Sequence, residues 1–516
     1  MTATSDSRPE VAAGSFDVHS PVHGRVVGTL PICDRAEVER IATDLRSAQP
    51  AWEDLGPKQR GRYLLSWLDW VMDNERRLVE IVQAETGKSW GDAAVEPLFA
   101  IEVINYVTKN AESWLRDISV KPHSALHATK RLKVFARPYP LVGVILPWNV
   151  PLALPFTDIP YALAAGAAVL SKPSEMTPLA WSEVVRGWSE EVGAPPVLGC
   201  VTGFGETGSA VVDVVDMVQF TGSTRTGRKV AAQAGGRLIP CSLELGGKDA
   251  MIVLDDADID RAVGAALTGA MFTSGQACVG VERVYVHESV YEEFMGKLTP
   301  RVTALRTGSE ADASFTNDLG ALVTSTQVDI VERHVNDAVA NGARALTGGS
   351  RHVKGNYFAP TVLADVDHSM VCMREETFGP VLPVMTFQTD DEAVRLANDS
   401  EYGLSGSVFT RNPARAERIA RRMETGGVCV NNVLQSVLQL QVPMGGWKTS
   451  GVGSRAGGAP GIRKYCRQQG FIADRVSPKS DPNWYPHSRT KAKLMNGALR
   501  LFGMHDWRRR LGLRPR

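Results

Sequence analysis

Charge imbalance and paired cysteines are both missing from this sequence. Its 516 residues hold 57 Lys and Arg against 57 Asp and Glu, so the chain as a whole has no bias toward nucleic acid. The seven cysteines are odd in number and form no C-x-x-C pair, which argues against a disulfide framework and gives no sign of a metal site. We therefore expect a cytoplasmic chain without nucleic acid or metal, in which one free thiol can serve chemistry.

A signal peptide and long apolar runs are also missing, with one apparent exception. The N-terminal residues MTATSDSRPEVAAG have neither a basic start nor an apolar stretch, so we expect no signal peptide. The run from Pro138 to Thr157 has twenty residues without a charge, about the length of a membrane helix. Five prolines interrupt it, and proline breaks helices. The run therefore predicts a buried strand followed by an ordered loop, not a transmembrane segment.

The length and the apolar pattern predict an α/β protein of two or three domains. Apolar residues recur at helical spacing from Ala36 to about Asn110, and Gly87 is expected to end one of these helices. Short apolar strands then alternate with helical stretches, which is typical of parallel βαβ units and a doubly wound sheet. A second α/β unit is expected to begin after the segment MIVLDDAD, residues 251–258. Residues 119–137 mix polar and β-prone types and predict an extended arm.

The C-terminal tail differs from the rest of the chain. Residues 475–516 hold eleven Lys and Arg against two Asp and Glu, a net charge of +9, which leaves −9 for the first 474 residues. Such a tail could bind acidic lipid or nucleic acid. We favour the alternative that it packs on the acidic body of its own or a neighbouring subunit, because short basic runs are weak signals alone.

Glycine-rich turns after apolar strands predict a nucleotide site. VTGFGETG contains Gly205 within a G-x-G-x-x-G pattern, and FTGSTRTG contains Gly222 and Ser223 at the start of a helix that could hold phosphate. In KPSE, Lys172 and Glu175 follow a strand at the end where open α/β sheets bind ligands. Each pattern also fits a plain turn or a surface charge pair, but together they favour a nucleotide.

Three further segments have catalytic character. Cys278 lies in the small, uncharged segment SGQACVG, although a free cysteine is most often a buried apolar residue. Glu244, in the apolar segment ELGGK, is expected to have a raised pKa suited to a general base. Asn149 lies between two prolines in PWNVP, where a rigid amide could stabilise an oxyanion. Together they supply a nucleophile, a base and an electrophilic group.

The segments PWNVP, KPSE, FTGS, ELGGK, SGQAC and EETFGP, in this order, resemble the aldehyde dehydrogenase superfamily from about residue 20 to residue 470. The resemblance implies an aldehyde dehydrogenase-like α/β fold with two doubly wound parallel-sheet domains, a small β arm for oligomerisation, and a homodimer or homotetramer. The implied parts are an NAD-binding domain (1–118 and 138–246), a catalytic domain (247–445), the arm (119–137 and 463–474) and the basic tail (475–516).

The resemblance also implies a reaction and its residues. An aldehyde would be oxidised to the carboxylic acid, with Cys278 as nucleophile, Glu244 as general base, and Asn149 with the backbone N–H of Cys278 as oxyanion hole. The cofactor-binding residues would be Trp148, Lys172, Glu175, Gly205, Gly222, Ser223, Leu245, Glu376 and Phe378. NAD is expected rather than NADP, because Glu175 would accept bonds from a ribose hydroxyl but repel a 2′-phosphate.

An apolar or aromatic aldehyde of moderate size is the expected substrate. By the resemblance, the substrate pocket is lined by Val150, Leu154, Ala277, Val279 and Leu438. A substrate that carries a carboxylate would need an arginine in the pocket, because burying an unpaired carboxylate costs free energy. Thr273 and Ser274 provide none, although an arginine could come from elsewhere. The alternatives are succinate-semialdehyde or another semialdehyde dehydrogenase, a relative that uses the thioester differently, and a non-catalytic binding protein on the same fold.

One pair of positions departs from the pattern of the family. Many relatives have a lysine nine residues after the PWN asparagine and a glutamate after the P-F-G-G-x-K motif, and these are thought to face each other near the base. This chain has Asp158 and Arg455 there, so both charges are inverted. The inversion suggests a buried ion pair with exchanged ends. The alternative, that both side chains reach water independently, has equal weight.

Overall fold

The structure, a computed structural model, describes residues 11–12, 14–309, 313–352, 354–477, 479–481 and 483–513. The chain divides into two compact units. The larger comprises Met1–Trp114 and Tyr139–Tyr465, and the smaller comprises Leu115–Pro138 and Cys466–Arg516. Most of the N-terminal segment assessed for a signal peptide, and the last three residues of the basic tail, lie outside the described residues.

The first sheet of the larger unit is built around fully buried apolar strands. Its six strands, in spatial order, are Gly451–Val452, Cys241–Glu244, Met217–Thr221, Leu141–Ile145, Ala168–Lys172 and Leu198–Cys200. All neighbours are parallel except the edge strand Gly451–Val452, which runs antiparallel to Cys241–Glu244. Every residue of Leu141–Ile145 is buried, as expected for a parallel strand covered on both faces.

Helices occupy the N-terminal part of the chain and the connections of this sheet. Their bounds are Arg35–Asp54, Gly56–Asp73, Glu75–Thr86, Trp90–Leu115, Ala153–Ala165, Leu179–Arg186, Gly205–Val214 and Thr224–Gly236. Gly87 ends the third of them at φ 71°, a left-handed conformation that glycine adopts without steric cost, so the predicted stop is confirmed. A three-stranded antiparallel sheet of Val11–Ala12, Ser15–His19 and Val26–Pro31 precedes the helices.

The second sheet has seven strands with a core on each face. In spatial order they are Arg344–Thr347, Thr361–Ala364, Val381–Phe387, Arg283–His287, Ala250–Val253, Ser405–Phe409 and Gly427–Val430. Only the edge strand Arg344–Thr347 is antiparallel to its neighbour among the described pairings. Met251 packs into one apolar cluster and Ile252 into the other, which is the alternation expected along a strand. The predicted doubly wound fold is thus confirmed, with a mixed edge on each sheet.

The helices that accompany the second sheet have these bounds: Ile259–Met271, Glu288–Thr303, Ser325–Ala340, Val371–Arg374, Asp390–Asn398, Pro413–Ala420, Gln435–Leu438 and Ala459–Arg463. Two short antiparallel pairs complete the unit, Tyr402–Gly403 with Trp447–Lys448 and Pro443–Met444 with Arg455–Ala456. The second pair places Arg455 next to the strand of Met444, inside the larger unit. After residue 440 the chain runs back to the first sheet, where the strand Gly451–Val452 pairs with Cys241–Glu244.

The uncharged run from Pro138 differs from its prediction in one respect. It contains the expected buried strand Leu141–Ile145 and a loop, but its last residues belong to the helix Ala153–Ala165 rather than to the loop. Pro155 lies in the first turn of that helix, where backbone N–H groups have no intrahelical partner, so proline removes nothing there. No helix in the described part of the chain is long and apolar enough to cross a membrane.

The smaller unit contains a β arm and a helical tail. Strand Lys130–Pro138 pairs antiparallel with Cys466–Asp474 along its full length and with Ile118–Val120 on its other side. The arm predicted for residues 119–137 therefore includes an extended strand. After it, helices Arg489–Gly503 and Trp507–Arg510 form the described part of the basic tail.

Candidate active site

Four of the sequence segments follow the carboxyl ends of neighbouring parallel strands in the first sheet. Strand Leu141–Ile145 leads to Asn149, Ala168–Lys172 ends at Lys172 itself, and Met217–Thr221 leads to Gly222 and Ser223. Strand Cys241–Glu244 ends at Glu244. Since the carboxyl ends of parallel strands lie at one edge of a sheet, the topology itself gathers these residues.

The loop before Cys278 has an unusual backbone. Thr273, Ser274 and Gly275 follow one another with φ values of 51°, 56° and 75°, a left-handed run that costs free energy for the two non-glycine residues. The Thr273 N–H donates to the Asp92 carboxylate at 3.1 Å, and the Ser274 hydroxyl donates to the Gly320 carbonyl at 2.9 Å. These bonds hold the strained loop.

Glycine at position 275 allows the cysteine loop to approach the EETFGP segment. A Cβ on Gly275 would lie 2.1 Å from the backbone carbonyl oxygen of Gly379, a distance that no side chain tolerates. The segments SGQAC and EETFGP, about one hundred residues apart in the chain, are in backbone contact here. This contact is why both contribute to one site.

Asn149 is fixed beside the cysteine loop. Its side chain is 4% exposed, and its Nδ2 donates to the carbonyl oxygen of Gln276 at 2.8 Å. Asn149 and Cys278 both line the two cavities described below. The Cys278 thiol is neutral at neutral pH, because burial raises its pKa to about 12, although the charge of Arg455 opposes this rise.

Glu244 has the properties predicted for a base. It is 2% exposed, and neither carboxylate oxygen has a hydrogen-bond partner within the described residues. Burial raises the pKa of Glu244 to about 7, while the nearby charges of Arg455 and Lys464 act in the opposite direction. The raised pKa expected from the sequence is confirmed, and the carboxyl can exchange a proton at neutral pH.

Asp158 and Arg455 form the expected ion pair with exchanged ends. Arg455 Nη2 lies 3.0 Å from Asp158 Oδ2, and the two side chains are 3% and 1% exposed. The same Nη2 donates to the Thr221 hydroxyl at 2.6 Å. The alternative that both side chains reach water is therefore wrong.

Sequence reasoning missed two further partners of Asp158. Lys464 Nζ lies 3.3 Å from Asp158 Oδ1 and also donates to Gln219 Oε1 at 2.8 Å, and the Tyr465 hydroxyl donates to Asp158 Oδ1 at 2.9 Å. Burial alone would raise the pKa of Asp158, but Arg455, Lys464 and Tyr465 hold it below its usual value. No motif of the sequence marks Lys464 or Tyr465 as a partner of Asp158.

The smaller of two cavities, about 270 Å³, brings most of the predicted cofactor residues together with the catalytic ones. Its lining includes Trp148, Gly222, Ser223, Leu245, Glu376 and Phe378 as well as Asn149, Glu244 and Cys278. The rings of Trp148 and Phe378 meet edge to face with centroids 5.4 Å apart. Ser223 also caps the helix Thr224–Gly236, since its hydroxyl accepts the Thr226 N–H at 3.3 Å.

Three predicted cofactor residues, Lys172, Glu175 and Gly205, do not line this cavity. Lys172 Nζ lies 3.6 Å from Glu175 Oε2, with side chains 5% and 34% exposed. Gly205 opens the helix Gly205–Val214, and a Cβ there would meet open space. These residues are at the same edge of the sheet but outside the enclosed volume.

Glu376 is held by the ELGGK segment. It accepts the Gly247 N–H at 3.0 Å, and a Cβ on Gly246 would lie 2.4 Å from its Oε2, so glycine is needed for this approach. Burial raises the pKa of Glu376 to about 7, and the Gly247 N–H opposes that rise. The ELGGK and EETFGP segments, which both line the smaller cavity, are thus joined by a hydrogen bond.

Two buried Lys–Glu pairs that support the site were also missed. Lys248 Nζ lies 2.6 Å from Glu282, which in turn accepts the N–H groups of Thr377 and Phe378 at 3.1 and 2.9 Å. Lys88 pairs with Glu96, which accepts the N–H groups of Leu152 and Ala153 after the PWN segment. The sequence signal for Glu282 was a pair of charges, Glu282 and Arg283, in the otherwise apolar segment VERVYV.

The larger cavity has a volume of about 780 Å³ and reaches Cys278. All five predicted pocket residues line it: Val150, Leu154, Ala277, Val279 and Leu438. Sequence reasoning missed other apolar lining residues, among them Val95, Phe99, Phe272, Val437 and Met444. Phe99 comes from the helix Trp90–Leu115, whose sequence gives no sign of facing a pocket.

Two arginines also line the larger cavity, and both already have partners. Arg455 Nη2 is bonded to Asp158 and Thr221, while its Nε has no partner within the described residues. Arg261 Nε donates to the Asn431 carbonyl at 2.6 Å. The described residues contain no group of three or more His, Cys, Asp or Glu side chains that could hold a metal ion.

Comparison with known proteins agrees with this geometry. The chain is 38% identical over 485 residues to "4,4'-diapolycopene aldehyde oxidase" of Methylomonas sp, covering 93% of this chain and 90% of that protein. It is 35% identical over 480 residues to "Putative succinate-semialdehyde dehydrogenase [NADP(+)] 2" of Mycobacterium ulcerans, covering 92% and 91%. The structure of an NAD-dependent aldehyde dehydrogenase from Sinorhizobium meliloti superimposes with a TM-score of 0.86 at 32% identity, covering 93% and 95%. The sequence profile of the aldehyde dehydrogenase family matches residues 9–470, and the chain belongs to this family.

Proposed function

We propose that this aldehyde dehydrogenase oxidises an apolar aldehyde with NAD, and that Cys278, Glu244 and Asn149 carry the reaction. The observation that supports it is the meeting of three groups at the junction of two cavities. A thiol, a carboxyl with a pKa of about 7 and a fixed amide line the smaller cavity, and the thiol and the amide also line the larger one. This arrangement lets an aldehyde and a cofactor approach the same sulfur from two sides.

The first step needs a proton acceptor. The thiol of Cys278 is neutral at pH 7, so its sulfur adds to the carbonyl carbon only as its proton leaves. That proton passes to solvent as the carbon–sulfur bond forms, so Glu244, with a pKa of about 7, stays available for the later hydrolysis. Asn149 has one amide N–H bonded to Gln276, and its other N–H is free to donate to the developing oxyanion.

The cofactor fits the smaller cavity by the character of its lining. Trp148 and Phe378 offer aromatic faces, Glu376 offers a carboxylate for a ribose diol, and the helix beginning after Ser223 offers N–H groups for phosphate. The chemistry that bound NAD supplies is acceptance of a hydride, which leaves a thioester on Cys278. Glu244 then takes a proton from the water that attacks this thioester, the carbon–sulfur bond breaks to release the carboxylic acid, and the proton passes from Glu244 to the Cys278 sulfur, which restores the thiol.

The preference for NAD rests on Glu175. A ribose bearing a 2′-phosphate would bring a second negative charge to this carboxylate, whereas Lys172, 3.6 Å away, would favour either cofactor. The names of the relatives point both ways, since one specifies NADP(+) and another specifies NAD. The ratio of kcat/KM for NAD to that for NADP should be about tenfold or more, and Glu175→Gln should reduce it.

The preference for an apolar substrate rests on the aliphatic and aromatic lining of the 780 Å³ cavity. The relative from Methylomonas is named for an aldehyde of diapolycopene, a hydrocarbon, which agrees with this lining. The second candidate is succinate semialdehyde, favoured by the name of the Mycobacterium ulcerans relative and by the unpartnered Nε of Arg455 in the lining. We favour the first because the Arg455 charge is already paired with Asp158.

NADH absorbance with a panel of aldehydes tests the proposal. Hexanal or benzaldehyde should give a kcat/KM at least tenfold above that of succinate semialdehyde. Cys278→Ala should abolish oxidation and leave NAD binding intact, because the thiol serves chemistry only. Preference for succinate semialdehyde would select the second candidate, and turnover by Cys278→Ala would remove the thiol from the mechanism.

We also propose that the β arm joins subunits into a homodimer or homotetramer. Strand Cys466–Asp474 lies at the edge of its three-stranded sheet, and most of its residues are exposed. An open strand edge of this length is a surface that pairs readily with another chain. Light scattering on the purified chain should give the mass of two or four subunits.

A further inference from the structure

The C-terminal helix Arg489–Gly503 has one basic and one apolar face. Arg489, Lys493, Asn496 and Arg500 are spaced by four, three and four residues, which places them on one face. Lys491 lies on the opposite side, where its Nζ donates to the carbonyl oxygens of Trp484 and Pro486 at 3.3 and 3.4 Å. Around it, that side holds four apolar residues, Leu494, Met495, Leu501 and Phe502. These four side chains are 41% to 70% exposed, and none of the helix residues is buried in the part of the chain that the structure describes.

Large exposed aromatic and basic residues flank this helix on both sides. Trp484 and Tyr485 precede it with 54% and 83% exposure, and Trp507 follows it with 61%. The short helix Trp507–Arg510 places three arginines in succession, and the Arg508 guanidinium lies 5.4 Å from the centroid of the Trp507 ring. Apolar rings and cations therefore occur together at each end of the amphipathic helix.

This region lies outside the part of the chain that the family accounts for. The family profile ends at residue 470, and no residue of either active-site cavity comes from the chain beyond Ala456. The tail thus carries apolar surface that contributes nothing to either cavity. Exposed apolar surface of this extent, bordered by charge, is typical of an interaction site.

We propose that the amphipathic helix and its flanks dock the enzyme onto the surface of an anionic lipid bilayer. A helix of this kind lies in the plane of the interface, with its apolar side chains among the acyl chains and its basic side chains at the headgroups. Tryptophan and tyrosine are favoured at the same depth. The net charge of +9 over residues 475–516 complements anionic lipid, and each basic residue near the surface strengthens binding about fivefold.

Two other occupants would satisfy only part of this surface. Nucleic acid would engage the basic residues and leave Leu494, Leu501 and Phe502 in water. The first 474 residues have a net charge of −9, so an acidic surface of a second copy would attract the basic face of the helix. To bury the apolar face, however, the helix would have to turn that face to the partner instead. A bilayer interface satisfies both faces in one orientation, which is why we prefer it to the packing favoured by charge alone.

Vesicle sedimentation with the full chain tests the proposal. At low salt the protein should bind vesicles of phosphatidylcholine and phosphatidylglycerol at least tenfold more tightly than vesicles of phosphatidylcholine alone, and added salt should weaken the binding. The double variant Leu501→Ser/Phe502→Ser should lower binding to anionic vesicles at least tenfold. Its turnover of a short water-soluble aldehyde should stay unchanged, which shows that the enzyme is folded.

A matched control removes exposed apolar side chains elsewhere. Leu238 and Val339 are 93% and 47% exposed in the larger unit, and Leu238→Ser/Val339→Ser should bind vesicles like the unaltered chain. Replacing Arg508, Arg509 and Arg510 with glutamine should also weaken binding to anionic vesicles.

Three outcomes would overturn the proposal. The first is no binding to anionic vesicles at low salt, and the second is unaltered binding by Leu501→Ser/Phe502→Ser. The third is binding of DNA without binding of vesicles, or a lower mass by light scattering for the double variant than for the unaltered chain, again without binding of vesicles. That result would assign the helix to nucleic acid or to a second copy.

Discussion

Glu244 and Asp158 are two carboxyl groups in one buried cluster, yet their pKa values move in opposite directions. They are 2% and 1% exposed. Glu244 has no hydrogen-bond partner at either oxygen, and burial raises its pKa to about 7. Burial would also raise the pKa of Asp158, but Arg455, Lys464 and Tyr465 hold it low. The partners, not the depth of burial, distinguish a base from a permanent anion.

The opposite pKa shifts of Glu244 and Asp158 show what the inverted charges at Asp158 and Arg455 do in this chain. Arg455 and Lys464 are two cations that share the carboxylate of Asp158, so these three groups together have one surplus positive charge. This surplus acts on the reacting groups, because the Arg455 charge opposes the rise in pKa of both Glu244 and Cys278. We infer that the arginine of the exchanged pair favours the anionic forms of Glu244 and Cys278, whereas the carboxyl groups of Glu376 and Asp249 act on the thiol in the opposite direction.

Within this cluster, the largest effect on turnover should come from replacing Glu244, the carboxyl group that has no hydrogen-bond partner. Glu244→Gln should lower kcat by about 10² to 10⁴, because the water that attacks the thioester loses its base. Stopped-flow mixing should show a burst of NADH followed by slow turnover. The free energy of unfolding should not fall, because no hydrogen bond to Glu244 is lost. Normal turnover would assign the base to another group.

Asp158→Asn should mainly lower stability, whereas Glu244→Gln mainly lowers turnover. It leaves Arg455 and Lys464 buried without a counter-charge, and breaking a buried pair costs about 3–5 kcal/mol of unfolding free energy. Denaturant unfolding measures this loss. The change should also lower the pKa of Glu244, because Asp158 raises that pKa and the two cations lower it. Unaltered stability together with an unaltered activity profile would show that the cluster does not behave as one unit.

A double-mutant cycle isolates the pair itself. Arg455→Gln alone strands the carboxylate of Asp158 beside Lys464, whereas combining it with Asp158→Asn removes both ends. The double variant should be no less stable than the poorer single variant, with a coupling energy of about 0.5–3 kcal/mol. Strictly additive losses would mean that the 3.0 Å contact contributes nothing to stability.

This cluster also shows how far the sequence could be read. The inverted charges at Asp158 and Arg455 suggested the ion pair, with the same weight as exposure of both to water, because both positions belong to recognisable segments. Lys464 and Tyr465 do not belong to a recognisable segment, and they contact Asp158 only because the chain returns to the first sheet. Local patterns predict the strands, the motifs and the buried base. They do not predict which distant side chains complete a network.

The larger cavity shows the same limit of sequence-based prediction. The residues beside recognised motifs, such as Val150 and Val279, were predicted to line it and do so. Phe99 was missed because its helix is apolar on several sides and its sequence does not show which side faces a cavity. Glu282 was missed because a buried charge is satisfied by tertiary contacts, here Lys248 and the backbone near Phe378.

The pH dependence of turnover should give the smallest of these effects. Where deacylation limits the rate, kcat should rise about tenfold between pH 6 and pH 8, because Glu244 must be ionised to act and its pKa is about 7. Glu244→Gln should flatten this limb, and Asp158→Asn should move it to lower pH. A profile of the unaltered enzyme that is flat from pH 6 to pH 8 would contradict the role of Glu244.

The same pKa has a consequence for stability with the opposite sign. The pKa of Glu244 is about 7 in the folded protein against an ordinary value of 4.5, so the folded state binds this proton more tightly than the unfolded state. Its contribution to stability is therefore fully present below about pH 4.5 and is lost as the pH rises to about 7. Replacing it with glutamine should remove this decline. The difference in unfolding free energy between Glu244→Gln and the unaltered chain should thus grow from pH 5 to pH 7, and a constant difference would show that Glu244 keeps an ordinary pKa.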